Sequence, residues 1–301
     1  MLQYDVPEYK KIRVIVDTDA ACEADDPFAI AHALMSKKLD VKAIFAEHFG
    51  EKGSVQKSYR EIETILDCME LDVPHFMGED GPLAKVQGAP PSAAGEFLIQ
   101  EARKAEERPL FVLCLGAITN VARAMQACPE IKDKMTVVWI GCQNVERPMP
   151  DLREFNSGND IEAANYVLGS GVKLWLLPFG VYSKMHIGLA EIQRRIAPCG
   201  NIGRHLFDQM VAYNNGPYAG WTAGESWSLG DSPAVGVALE PNCGNWALQE
   251  APVVNPDTTC RREPGRPLIR VYENVNSRYI LEDMMCKLEL LYGNEGRFTD
   301  K

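Results

Sequence analysis

Short β-rich runs alternate with stretches of helical periodicity through the first two thirds of this 301-residue chain, and that alternation limits the possible folds more than any other feature. Ile12 to Asp17 (IRVIVD) reads as a buried strand, and Pro27 to Lys37 follows with apolar residues at helical spacing. Val41 to Ala46 is a second strand and Ser54 to Met69 a second helix. Leu110 to Leu115 and Thr136 to Gly141 are strands around a helix from Asn120 to Ala127. Asp160 to Leu168 reads as helix and Val172 to Leu177 as strand. Beyond Gly200, helices are expected over Ile202 to Ala212, Pro233 to Leu239 and Ile280 to Leu291, with strands near Val253 and Ile269. Strands separated by helices imply an open, mostly parallel sheet covered on both faces. The expected class is α/β with a Rossmann-like core. No repeat, low-complexity tract or long linker divides the chain, so one domain over residues 1–301 is expected.

A chain of this length buries roughly 75% of the surface its unfolded form exposes, so it needs no covalent staples. Its nine cysteines are scattered without a C-x-x-C pair and read as reduced thiols of a cytoplasmic protein. The formal net charge of −11 repels phosphate backbones, which argues against nucleic acid and anionic membranes as partners. No run approaches the ~18 apolar residues a membrane helix needs. The first residues lead straight into a strand with no apolar signal-peptide core, so a cytoplasmic location is expected.

In open parallel sheets the ligand sits beyond the carboxyl ends of the strands. The first strand ends D-T-D-A-A-C-E-A-D-D, which places Asp17, Asp19, Glu23, Asp25 and Asp26 within ten residues. Acids so close repel one another unless a cation or shifted protonation offsets the repulsion. An all-oxygen donor set favours a hard ion, Ca²⁺ or Mg²⁺, over zinc. The plainer alternative is an acidic turn in which Asp26 caps a helix that has Pro27 in its first turn. A second polar cluster runs from Arg153 to Asp160. There Glu154 and Asn156 offer a carboxylate and an amide to sugar hydroxyls, and Asp160 is equally a helix cap. A third runs from Glu225 to Pro233, with Asp231 before a helix start as either ligand or cap.

An N-terminal strand ending DTD…DD, then LGAITN, then EFN…DIEAA, then GDSPAV, in that order, resembles the inosine-uridine-preferring nucleoside hydrolase family between Ile12 and Leu239. The resemblance implies an open α/β sheet with Ca²⁺ at the strand ends and hydrolysis of a nucleoside to ribose and free base. By motif position, Asp19, Asp26, Asp231 and the carbonyl of Thr119 would ligate the Ca²⁺, with Mg²⁺ the second choice. Asp19 would also take the proton of a Ca²⁺-bound water. Asp25, Glu154 and Asn156 would hold the ribose hydroxyls. The partner implied is a small nucleoside in a salvage role, and the assembly implied is a homodimer or homotetramer. The chemistry suits the residues, because cleaving an N-ribosidic bond builds positive charge on the sugar that surrounding carboxylates stabilise.

The chain departs from the family pattern in three places. Five residues, Ala20 to Ala24, separate Asp19 from Asp25 where the family has three, which makes Glu23 a further candidate. After the second strand, Glu47-His48-Phe49-Gly50 stands where the family often has Gly-Asn, so His48 is a ribose or base contact, or a structural histidine. Gly230 precedes Asp231 where well-known members carry a histidine implicated in protonating the leaving base. Candidates for that task are Glu225, His48 and Trp227, whose indole offers a stacking face and an N–H or simply fills the core. Two other functions stay open: a non-catalytic nucleoside- or ribose-binding protein on the same fold, or hydrolysis of another N-riboside. A haloacid dehalogenase-like phosphatase would account for the first two aspartates but leave LGAITN and EFN unexplained.

Overall fold

The computed structural model describes residues 1–86 and 88–293. In chain order the strands are β1 (Ile12–Thr18), β2 (Leu39–Ala46), β3 (His75–Met77), β4 (Leu110–Cys114), β5 (Met135–Ile140) and β6 (Lys173–Leu177). They continue as β7 (His186–Gly188), β8 (Ser226–Ser228), β9 (Trp246–Glu250), β10 (Val253–Val254), β11 (Cys260–Arg261) and β12 (Leu268–Tyr272). The helices are α1 (Asp26–Leu34), α2 (Ser54–Met69), α3 (Leu83–Val86), α4 (Ala93–Arg103), α5 (Thr119–Ala127) and α6 (Phe155–Asn159). They are followed by α7 (Ile161–Gly169), α8 (Phe179–Tyr182), α9 (Leu189–Glu191), α10 (Gly200–Asn214), α11 (Ser232–Leu239) and α12 (Ser277–Tyr292).

Eight strands form the central sheet in the order β3-β2-β1-β4-β5-β6-β12-β9. All pairs are parallel except β12 with β9 at the edge. Every residue of β1, β4 and β5 is buried, as expected for strands covered on both faces. Successive side chains of β1 go to opposite faces. Val14 and Val16 join the apolar layer of Phe28 from α1, Ile62 from α2 and Ile280 from α12. Ile15 joins the layer of Leu98 from α4, Val121 from α5 and Val167 from α7. The α/β expectation therefore holds.

β1 pairs with β2 on one side and β4 on the other, so the winding direction reverses between β1 and β4. Such a reversal opens a crevice at the carboxyl ends of the two strands. Asp17 lies opposite Cys114 there, and the Leu115 amide donates to the Asp17 carbonyl at 2.8 Å.

Several elements depart from the periodicity reading. The strand expected near Val253 forms, as β10 paired with Cys260–Arg261 in a separate ribbon, whereas the edge strand Trp246–Glu250 is not among the expected strands. β9 alternates exposed and half-buried residues, so it lacks the apolar run that marked the inner strands. β3 and the antiparallel pair β7–β8 are three residues per strand, too short to show a period. Among the described residues no disulfide joins any of the nine cysteines. Among the described residues no helix is long and apolar enough to cross a membrane.

Candidate active site

Four aspartates gather beyond β1. Asp19, Asp25, Asp26 and Asp231 are 3%, 8%, 3% and 5% exposed, and carboxylate oxygens of Asp25, Asp26 and Asp231 lie within 4.8 Å of one another. Asp25 and Asp231 occupy the N-cap positions of α1 and α11, yet neither side chain makes a capping bond. Each helix N-terminus presents its partial positive charge to this acidic cluster. The Thr18 hydroxyl donates to Asp26, and the Gly230 amide donates to Asp25. Asp19 rests against Gly116: a Cβ there would lie 2.6 Å from its carboxyl carbon.

Burial raises the pKa of Asp19 well above the usual carboxylate range, and repulsion from Asp26 adds to it. Burial followed by repulsion from Asp25, Asp26 and Asp19 does the same to Asp231. Glu23, from the longer loop, also lines the cavity and is pushed up to about 7 by burial and by Asp26. Arg153 and His186 are the basic side chains in the lining, and the Arg153 guanidinium donates to the Gly158 carbonyl. Buried carboxylates with no paired protein cation among them match the all-oxygen donor set of a hard divalent ion. The residues fit such an ion.

The acids open onto a cavity of about 520 Å³, within the range of small-molecule sites. Phe155, Phe179, Tyr182, Trp221 and Trp227 contribute its aromatic wall. Trp227 on β8 is 1% exposed and stands edge-on to Trp221 at 5.2 Å and to Tyr213 at 5.3 Å. Its buried indole nitrogen has no hydrogen-bond partner.

Glu154 and Asn156 line the cavity as well, but both are heavily engaged. Glu154 is the N-cap of α6. Its Oε2 accepts from the Cys142 amide at 2.9 Å, the Ser157 amide at 2.9 Å and the Ser157 hydroxyl. Its Oε1 accepts from the Asn156 amide at 3.3 Å and the Tyr182 hydroxyl at 2.8 Å. The side-chain amide of Asn156 donates to the Leu115 and Ile140 carbonyls at 2.6 and 2.9 Å, tying together the ends of β4 and β5. Asp160 caps α7 through the Ala163 amide at 2.9 Å, its structural alternative.

His48, Thr119 and Glu225 lie outside the cavity lining. The His48 Nε2 is 2.8 Å from the Thr119 hydroxyl, which donates to Asp160 at 2.7 Å. Burial pushes His48 down to about 4, which keeps it neutral. Glu225 is exposed and engages Leu189 through its backbone carbonyl. Two residues that the sequence motifs did not mark enter instead. Tyr182 ends α8, and His186 lies on β7 opposite Ser228 of β8. Their one sequence signal is position shortly after the carboxyl end of β6.

Comparison with known proteins agrees with this architecture. Residues 14–280 match the family model of inosine-uridine preferring nucleoside hydrolases. A pyrimidine-specific ribonucleoside hydrolase, RihA, of Salmonella typhimurium is 28% identical over 67% of this chain and 72% of its own length. Among solved structures, a plant nucleoside hydrolase, PpNRh1, superposes with a TM-score of 0.76 at 19% identity, covering 92% of this chain and 98% of that one. A purine-preferring ribonucleoside hydrolase from Gardnerella vaginalis gives 0.76 at 20%, covering 93% and 99%. At these identities the two structures establish the fold.

Proposed function

The chain belongs to the inosine-uridine preferring nucleoside hydrolase family, and from that premise we propose that it cleaves the N-glycosidic bond of a ribonucleoside with the help of Ca²⁺. The observation that carries this reading is the convergence of buried Asp25, Asp26 and Asp231 beside Asp19 at the switch point of the sheet. Asp26 and Asp231 would hold the ion, with Asp19 and Asp25 beside it. Bound there, Ca²⁺ would supply the charge that makes a water easier to deprotonate and fixes sugar hydroxyls.

The residues of the chain perform the rest. Asp19 is the general base, a buried carboxylate just beyond β1 and beside Asp26. The carboxylates around the sugar stabilise the positive charge that develops as the bond breaks. Trp227 and Trp221 form an apolar wall for the base. Protonation of the leaving base falls to His186, the histidine that lines the cavity. Gly230 has no side chain for that task, and a Cβ there would crowd Asp25 and Tyr182, each 3.2 Å away.

The test is release of free ribose from a panel of purine and pyrimidine ribonucleosides, before and after chelation and again after Ca²⁺ is restored. Chelator-sensitive release that Ca²⁺ rescues supports the reading and identifies the base. Ribose release unaffected by chelation removes Ca²⁺ from the mechanism. No release, with ribose still raising the melting temperature in Ca²⁺, leaves a binding protein on this fold.

A further inference from the structure

A carboxylate has about four lone-pair positions, and Glu154 already accepts five hydrogen bonds. Three of the donors are backbone amides and a fourth is the neighbouring Ser157 hydroxyl. Glu154 is 1% exposed, and these bonds hold both of its oxygens in place. The fifth donor, the Tyr182 hydroxyl, belongs to a residue that itself lines the cavity.

We propose that Tyr182 reads a sugar hydroxyl directly, with Glu154 acting behind it as the positioning residue. The phenol proton is committed to Glu154 at 2.8 Å, so toward the cavity the phenol oxygen is an acceptor only. Burial and the Glu154 carboxylate both raise the phenol pKa well above its ordinary value, which keeps that proton in place. The surrounding surface has the same polarity. Asn156 has spent both amide protons on the Leu115 and Ile140 carbonyls, which leaves its oxygen, and Asp25 is a carboxylate in the same lining. Acceptors on this stretch of the wall suit a ligand that brings donors, which describes the free hydroxyls of a sugar.

Gly230 belongs to the same device. A Cβ at 230 would sit 3.2 Å from Cδ2 of Tyr182 and 3.2 Å from Asp25 Oδ2, tighter than most such contacts. The absent side chain is therefore what lets the Tyr182 ring stand beside Asp25. Tyr182 and Gly230 form a matched pair.

This inference rests on the nucleoside-hydrolase reading for its substrate, so the experiment reads binding as well as turnover. Wild type and Tyr182→Phe are compared on the best ribonucleoside of the panel and on its 2′-, 3′- and 5′-deoxy analogues, with Ca²⁺ present. Phenylalanine keeps the ring that packs on Gly230 and removes the hydroxyl. The expected result is a KM about 2- to 13-fold higher for the parent with kcat changed less than 3-fold, the usual range for one lost hydrogen bond. At one of the three positions, the penalty that wild type shows for the deoxy analogue should vanish in the variant. Retention of all three penalties overturns the proposal, as does an equal fall in kcat for every substrate, which a merely structural tyrosine would give. If wild type hydrolyses no nucleoside, the hydrolase reading falls and the comparison passes to calorimetric binding of ribose and its deoxy forms. Loss of discrimination at one hydroxyl still supports Tyr182 there, and no binding, or unchanged discrimination, overturns it.

Discussion

Asp19 lies directly against the Cα of Gly116: a methyl group added at 116 would come 2.6 Å from the Asp19 carboxyl carbon. The two residues lie just beyond the ends of the neighbouring strands β1 and β4, where the sheet reverses its winding. Gly116 therefore acts as the seat of the proposed general base. Gly116→Ala should push the carboxylate out of place, and a displacement near 1 Å costs roughly 10²-fold in turnover. Ribose release by Gly116→Ala and Asp19→Ala, with melting temperatures alongside, checks this. Both variants should stay folded and lose activity. Full activity in Asp19→Ala ends the proposed mechanism, and full activity in Gly116→Ala shows that the loop adapts.

The crowding of Asp25, Asp26 and Asp231 predicts an inverted stability response. With Ca²⁺ bound the three carboxylates are ligands, and Asp231→Asn should lower the melting temperature. After chelation the three buried carboxylates coexist only by taking up protons, which costs stability at neutral pH, and the same substitution removes one carboxylate from that cost. Asp231→Asn should then melt above wild type by about 2–4 °C, the shift that ~1 kcal/mol makes in a chain of this class. Differential scanning fluorimetry with chelator and with Ca²⁺ reads both arms. A variant less stable than wild type in both conditions would show that Asp231 serves the packing of α11 and not a cation.

His186 as proton donor to the base makes a prediction about leaving groups. A purine or pyrimidine is a poor leaving group until protonated, whereas p-nitrophenolate departs without help. His186→Gln should lower nucleoside hydrolysis by 10²- to 10⁴-fold, the usual yield of a positioned acid. Hydrolysis of p-nitrophenyl riboside by the same variant should stay within about 3-fold of wild type. An equal loss on both substrates would mean that His186 shapes the cavity without donating a proton.

How far the molecule was legible in advance depends on range. β1, β2, β4, β5 and β6 announce themselves because strands covered on both faces are nearly continuous apolar runs. The acids of Asp19, Asp25 and Asp26 were visible as a local cluster, and Asp231 through its motif. β9 was not visible, since a half-exposed edge strand such as Trp246–Glu250 carries no such run. Helix α4 (Ala93–Arg103), with Ser92 as its side-chain cap, likewise lies outside the segments that periodicity marks. The walls of the cavity were the least legible part. Tyr182 and His186 reach it through pairings such as His186 with Ser228, 42 residues apart, which no local pattern encodes. Glu154 illustrates the converse: its motif marks it as a sugar contact, and only the folded chain reveals five donors already on it.

On the far side of α1 from the acids, His32 is fully buried with Nε2 2.8 Å from Asp283 of α12. Lys287 also donates to Asp283, and to Ser36 at 2.8 Å. Burial lowers the His32 pKa and outweighs the pull of Asp283, with Lys287 adding to the lowering. The folded state thus holds His32 neutral, while in the unfolded chain it titrates near 6.5. Above that pH neither state binds the proton and the contribution of His32 is complete. As pH falls below about 6.5 the unfolded chain takes up a proton that the folded chain refuses, and stability declines by at most ~1.4 kcal/mol per pH unit. His32→Asn removes this slope, and the active-site carboxylates, common to both proteins, cancel in the difference. The stability gap between wild type and His32→Asn, measured by urea unfolding, should therefore narrow between pH 7 and pH 5. A gap that widens toward pH 5 would mean that Asp283 keeps His32 protonated in the folded protein.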